Sequence, residues 1–377
     1  MKKKIAFVQS GSFSHINASV RAQLVKNFPE CELVTWDVRD LIRARPFFVA
    51  RNAPGVFFAH GLRELIRRRD PVDCFIQSPG CFDFIRAELR RRVTAEAFAF
   101  TFQTQSMWDA SVPGVPHFLY TDHTELAPLQ ELDFDRARLP GAWWLKLERD
   151  IYHHASAVFT MSGNVRRSVI EDYGVASEKV RCVFAGSNVP VRVADFSESR
   201  FAGQNILFVG VDWERKGGPE LLAAFRQILP KHPQATLTIV GCQPDQVAAR
   251  NIQVLGRLPL AQLTGLYESA ALFCLPTRHE PFGIAFVEAM HHGLPLLGTR
   301  LGAIPDFIED GVNGALVPRG DVAALAAALD RLLGEPETLR QMGARSLEKA
   351  RRNYAWDQVG ARMASVVREN INAPAAT

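Results

Sequence analysis

Cysteine is scarce. The six residues (Cys31, Cys74, Cys81, Cys182, Cys242, Cys274) form no CxxC pair, and several sit in apolar runs such as VDCFI and ALFCLP. They read as reduced core residues of a cytoplasmic protein, with no signature of metal or redox chemistry. Long hydrophobic runs are missing too. No window approaches the ~18 apolar residues of a membrane span. The apolar run behind the basic start MKKK extends only from Ile5 to Val8. A signal peptide needs roughly 7–15 there, so this segment is expected to be a first buried strand. Charge of one sign is not dominant either. A net charge of +4 suits a protein that handles phosphorylated ligands or touches an anionic membrane, and is too weak to argue for nucleic acid.

What is present is globular material for more than one core. A chain of 377 residues exceeds the ~250–300 at which a single core stops growing, so two domains are expected. Short apolar runs alternate with longer amphipathic stretches, the pattern of βα units around parallel sheets. Strands are predicted at Ile5–Val8, Glu32–Trp36, Val72–Ile76, Phe98–Phe102, Phe118–Thr121, Ala157–Met161 and Val180–Phe184. A second series runs Ile206–Val209, Thr236–Val240, Ile252–Leu255, Leu272–Leu275 and Pro295–Leu297. Helices are predicted at Gly218–Leu229 and at Val322–Leu333, the latter with Asp321 as N-cap and Gly334 past its end. Pro190–Gln204, polar and aperiodic, reads as a linker. The expected fold class is α/β, with two Rossmann-like domains facing each other across a cleft. The first covers 1–190 with a terminal helix over 356–377 packing back on it, and the second covers 200–355. Ligands bind such sheets at the carboxyl ends of their strands.

The strongest local signal is HEPFGIAFVEAMHHGLPLL, residues 279–297. Glu280 follows a strand that ends at Pro276, and a helix is expected from near Phe282, with Pro281 just before it. The first-turn amides at Gly283 and Ile284 then point toward a site that favours an anion. Glu288 falls about two turns inside that helix. Two carboxylates spaced along one ligand suit the recognition of hydroxyls at both of its ends.

Glu-Pro-Phe-Gly followed by Glu-Ala-Met-x-x-Gly-x-Pro resembles the Glu-x7-Glu signature of retaining glycosyltransferases of the GT-B architecture, glycosyltransferase family 4 (group 1). NILFVGVDWERKGG (205–218), ATLTIVGC (235–242), VLGRLP (254–259) and LGAIPDFIEDGVNGALVPRGD (301–321) continue the resemblance. It implies a sugar transfer from a nucleotide-sugar donor, which is a substrate and leaves no cofactor to name. Lys216, in a glycine-flanked turn where its stem is expected to bear little core packing, would hold the donor diphosphate, and Glu280 and Glu288 would accept from sugar and ribose hydroxyls. Arg257 and Leu258 would line the base pocket, largely through backbone. The family often has an arginine directly after Val-Gly, where this chain has Val211, and Arg215 is the nearest substitute. In the first half, GSFSH (11–15) resembles the family's Gly-rich loop, with Gly11 as its flexible point. TDHT (121–124) resembles the place where relatives put a histidine beside the donor sugar, which singles out His123. YAWDQV (354–359) resembles the crossing of the last helix back onto the first domain.

The DxD at Asp133–Asp135 lies in an acidic loop after no clear strand, and adjacent pairs such as His153-His154 and His291-His292 point to different helix faces, so no metal is expected. The resemblance implies an acceptor hydroxyl on a glycan, lipid or small molecule, without identifying it. The basic runs Leu62–Arg69 and Arg86–Arg92 read first as solvated helix faces. The functional alternative, with Trp143-Trp144 expected to be exposed, is a patch for an anionic acceptor or for peripheral contact with the inner membrane face. Two other readings remain open: a nucleotide-sugar epimerase or phosphorylase on a similar scaffold, and a catalytically silent nucleotide-sugar-binding subunit.

Overall fold

The computed structural model describes residues 2–13, 15–54, 75–131, 134–190, 194–245, 247 and 249–372. The chain divides into two compact units, Met1–Phe184 with Val359–Thr377 and Ala185–Gln358.

The first unit holds six strands: β1 (Lys3–Gln9), β2 (Cys31–Asp37), β3 (Phe98–Thr104), β4 (His117–Thr121), β5 (Ala157–Thr160) and β6 (Val180–Cys182). They form one parallel sheet in the order β2-β1-β3-β4-β5-β6. Parallel strands are covered on both faces, which is why β1, β3, β4 and β5 read as apolar runs without alternation. Phenylalanines stack across them: Phe7 on Phe102 at 6.1 Å and Phe102 on Phe159 at 6.0 Å. The helix Trp356–Asn372 closes this unit. Arg362 donates to the carbonyl of Val183, Arg368 donates to that of Asn27, and Gly360 lies against Gln23 where a Cβ would not fit.

The second unit repeats the plan with β7 (Asn205–Val209), β8 (Thr236–Val240), β9 (Ile252–Gly256), β10 (Leu272–Leu275), β11 (Leu296–Thr299) and β12 (Gly314–Val317). The sheet is parallel, in the order β12-β11-β10-β7-β8-β9. The winding reverses between β7 and β10 here, and between β1 and β3 in the first unit. At such a point the connections from the two central strands run to opposite faces of the sheet, and ligands bind at the strands' carboxyl ends.

Four sequence expectations need correction. Phe75 and Ile76, placed in a strand, are helical instead, and the rest of that predicted strand lies outside the described residues. The segment read as a linker contains the helix Glu198–Ala202. Its Arg200 is buried and donates to the carbonyls of Asp195, Tyr267, Ala270 and His292, so this stretch is anchored in the second unit. Trp144 is buried, with its indole N–H donating to Glu125, and Trp143 is half-buried against it. The strand β12 was missed because it opens at Gly314. A Cβ there would lie 2.0 Å from the Leu296 carbonyl, so close pairing with β11 requires a residue of low strand propensity.

Leu62–Arg69 and Asp133 of the DxD lie outside the described residues. Asp135 caps the short turn Arg136–Arg138 by accepting from the amide of Ala137.

Candidate functional site

Two loops meet at the reversal of the second sheet: 210–217 after β7, and 276–283 after β10. Glycines let them approach. At Gly217, φ is +73° and a Cβ would lie 1.9 Å from the Pro276 carbonyl. Polar bonds then join them. The amide of Arg278 donates to the Arg215 carbonyl at 2.8 Å, and Thr277 Oγ1 donates to the carbonyls of Arg215 and His279. Arg215 returns a guanidinium N–H to the His279 carbonyl at 3.0 Å. Arg278 Nε donates to Glu220 Oε1 at 2.6 Å, tying the second loop to the helix Gly218–Ile228.

Inside this clasp Lys216 forms an ion pair with Glu280, their side chains 11% and 5% exposed. Burial lowers the lysine's affinity for its proton, and the Glu280 carboxylate works against that effect. The sequence suggested a lysine in an open glycine-flanked turn. The structure shows a buried partner of a carboxylate.

The helix Ile284–His291 starts two residues later than expected. Gly283 is its N-cap, at φ +103°, with no side chain capping the first turn. Glu280 runs alongside it, since a Cβ on Gly283 would meet Glu280 Cγ at 3.2 Å. Lysine ammonium, carboxylate and helix N-terminus therefore share one place. Such a place can take an anion through the ammonium and amides, and hydroxyls through the carboxylate. Pro281 and Ile284 are half-buried, and Phe282 is packed edge-on against Phe307.

Glu288 lies on this same helix, is buried, and accepts from Tyr267 Oη at 2.9 Å. Burial raises its pKa to about 7, which the tyrosine's hydrogen bond partly offsets. Tyr267 in turn stacks on His292 at 5.3 Å. Arg257 is exposed and Leu258 half-buried in the turn that leaves β9, two strands from β7.

In the first unit Gly11 follows β1 at φ +54°. Its amide donates to Asp37 Oδ2 and its carbonyl accepts from Asn17. His123 follows β4 and is half-buried, with its carbonyl accepting from Thr121 and Tyr152. Beneath it lies Glu148, which accepts from Ser106, Tyr152, Tyr173 and the amide of Glu125. Burial pushes its pKa up to about 8, helped by the nearby Glu125.

The family model for Glycosyl transferases group 1 matches residues 203–335, which include both loops and the helix they frame. This stretch is similar to the group 1 glycosyltransferases. Among curated relatives, an MMP alpha-(1->4)-mannosyltransferase of Mycolicibacterium hassiacum is 26% identical over 67% of this chain and 65% of its own length. A phosphatidyl-myo-inositol mannosyltransferase of Mycobacterium leprae is 35% identical over 44% of this chain and 46% of its own. The chain thus spans less than two thirds of these relatives. Among solved structures, sucrose-phosphate synthase from Thermosynechococcus elongatus aligns over 97% of this chain and 98% of its own, with a TM-score of 0.67 at 16% identity. Anabaena Alr3699/HepE, solved with UDP, aligns over 97% and 100%, with the same TM-score of 0.67 and 16% identity. At that identity the likeness establishes the GT-B type of fold.

Around the two loops, sequence reading missed Thr277, Arg278, Glu220 and Tyr267. Thr277 directly follows the strand end at Pro276 and could have been suspected. The other three act across tertiary contacts and leave no local signal.

Proposed function

We propose that this chain transfers a sugar from a nucleoside diphosphate-sugar to an acceptor hydroxyl, with retention of anomeric configuration and without a required metal. The observation that carries the reading is the meeting of Lys216, Glu280 and the Gly283 helix terminus at the strand-order reversal. Lys216 and the first-turn amides would bind the diphosphate and stabilise it as leaving group, as preorganised charges do where negative charge develops. Glu280 would accept from donor-sugar hydroxyls, and Glu288 from the ribose. Arg257 and Leu258 would border the base. His123 and Gly11 remain the candidate residues of the first unit. The departing phosphate would take the acceptor's proton.

The named relatives include mannosyltransferases, and one solved neighbour carries UDP, so GDP-mannose and UDP-hexoses are the donors to try first. Glycans, lipids and small molecules remain the acceptor classes. No helix among the described residues is long and apolar enough to cross a membrane, and a peripheral contact through Arg86–Arg92 belongs to the same proposal.

The test is a transfer assay over a donor and acceptor panel. Glu280→Ala should cut turnover by at least ~100-fold, the scale of losing a transition-state contact, and wild-type transfer should persist in excess EDTA. Near-normal turnover in the variant would remove Glu280 from the donor site. Loss on chelation with recovery in Mg²⁺ would overturn the metal-free mechanism.

A further inference from the structure

Lys216 and Glu280 are each other's buried partner on facing loops. Lys216 is held from behind, because a Cβ on Gly210 would meet its Cγ at 2.9 Å. Splitting a buried pair from one side is expensive, since the charge left behind is desolvated and uncompensated. A diphosphate alone can satisfy the ammonium but leaves the carboxylate facing phosphate oxygens. A nucleotide-sugar can satisfy both, with phosphate on Lys216 and sugar hydroxyls donating to Glu280.

We propose that the Lys216–Glu280 ion pair is a latch opened by the complete nucleotide-sugar and closed against the nucleoside diphosphate product, which makes Glu280 a determinant of donor-over-product selectivity. The inference rests on the donor reading above and adds a direction to it. Once the sugar leaves with the acceptor, Glu280 loses its hydroxyl donors, and re-forming the pair with Lys216 drives the diphosphate out.

The experiment is calorimetric titration of wild type, Glu280→Gln, Lys216→Met and the double variant. The ligands are UDP and GDP, together with UDP-glucose and GDP-mannose. Glu280→Gln should bind the preferred nucleoside diphosphate about tenfold more tightly than wild type, and its nucleotide-sugar more weakly. In the Lys216→Met background the tightening should vanish. Unchanged or weaker diphosphate binding by Glu280→Gln overturns the latch. So does equal tightening without Lys216, which would mean simple repulsion between carboxylate and phosphate. Both of those results leave the donor reading standing. Failure of every protein to bind either diphosphate overturns latch and donor reading together. If Glu280→Gln does not fold, Glu280→Asp loosens the same contact and carries the same comparison.

Discussion

At the residue scale, burial changes what Lys216 can be expected to do. Its place in a glycine-flanked turn suggested a side chain whose loss costs little stability. With its side chain 11% exposed and paired to Glu280, its removal strands a carboxylate in the interior. Lys216→Ala should therefore lower stability by roughly 3–5 kcal/mol, the scale for breaking one side of a buried pair. It should also weaken binding of a nucleoside diphosphate by about tenfold or more while leaving the bare nucleoside little affected. Chemical denaturation and titration with both ligands check the two effects separately. A stability change within about 0.5 kcal/mol, as for a surface residue, would contradict the buried pair. The carboxylates Glu280 and Glu288 were legible because their spacing belongs to a long local motif. The clasp through Arg278 and Glu220, and the support of Glu288 by Tyr267, were not, because 58 and 21 positions separate those partners.

At the scale of elements, the turn from β7 into the helix Gly218–Ile228 depends on one close approach. Gly217 and Gly320 have nearly the same backbone angle, φ +73° and +74°. They differ in space: a Cβ on Gly217 would lie 1.9 Å from the Pro276 carbonyl, whereas on Gly320 it meets nothing within 4 Å. Gly320→Ala should thus cost only the left-handed backbone penalty, about 1–2 kcal/mol. Gly217→Ala must also push the two loops apart and should cost more than about 4 kcal/mol, or prevent folding of the second unit. Thermal melting of the two variants compares them directly, and equal losses would show that the loops are not in contact at Gly217. Strands and helices with strong periodicity were readable: Val322–Leu333 has the bounds expected, with Asp321 accepting from the amide of Ala324. The elements that were misread are those where tertiary demands outweigh composition. Gly314 opens a strand because the neighbouring backbone leaves no room for a side chain, and Glu198–Ala202 becomes an anchored helix because Arg200 and Phe201 find buried places.

At the scale of the molecule, each unit carries a buried histidine and a buried acid that titrate abnormally. Burial lowers His117 and His292 from 6.5 to about 4. Between those values the unfolded chain takes protons that the folded one refuses, so stability is lost as pH falls, by roughly 3 kcal/mol per histidine. Burial raises Glu148 and Glu288 from 4.5 to about 8 and about 7. The folded state keeps those protons where the unfolded state releases them, so this stability is lost as pH rises through the folded values. The two slopes oppose each other between 4.5 and 6.5, which predicts a nearly flat melting temperature there. A fall is expected from 6.5 up to 8, and Glu148→Gln should reduce it. Melting curves across that range check the shape, and an unaltered alkaline slope in the variant would show that Glu148 does not carry it. The sequence by itself determined the doubly wound α/β character and most strand positions, and it singled out Glu280 and Glu288 as candidate carboxylates. Those follow from local hydrophobic period and from a motif contained in adjacent residues. Only the tertiary structure decided strand order, and with it the reversals at β1/β3 and β7/β10, because parallel pairing is set by which buried faces and backbone edges fit together. It also decided that Lys216 and Glu280, 64 positions apart, neutralise each other in the interior, since a charge is tolerated there only beside its partner.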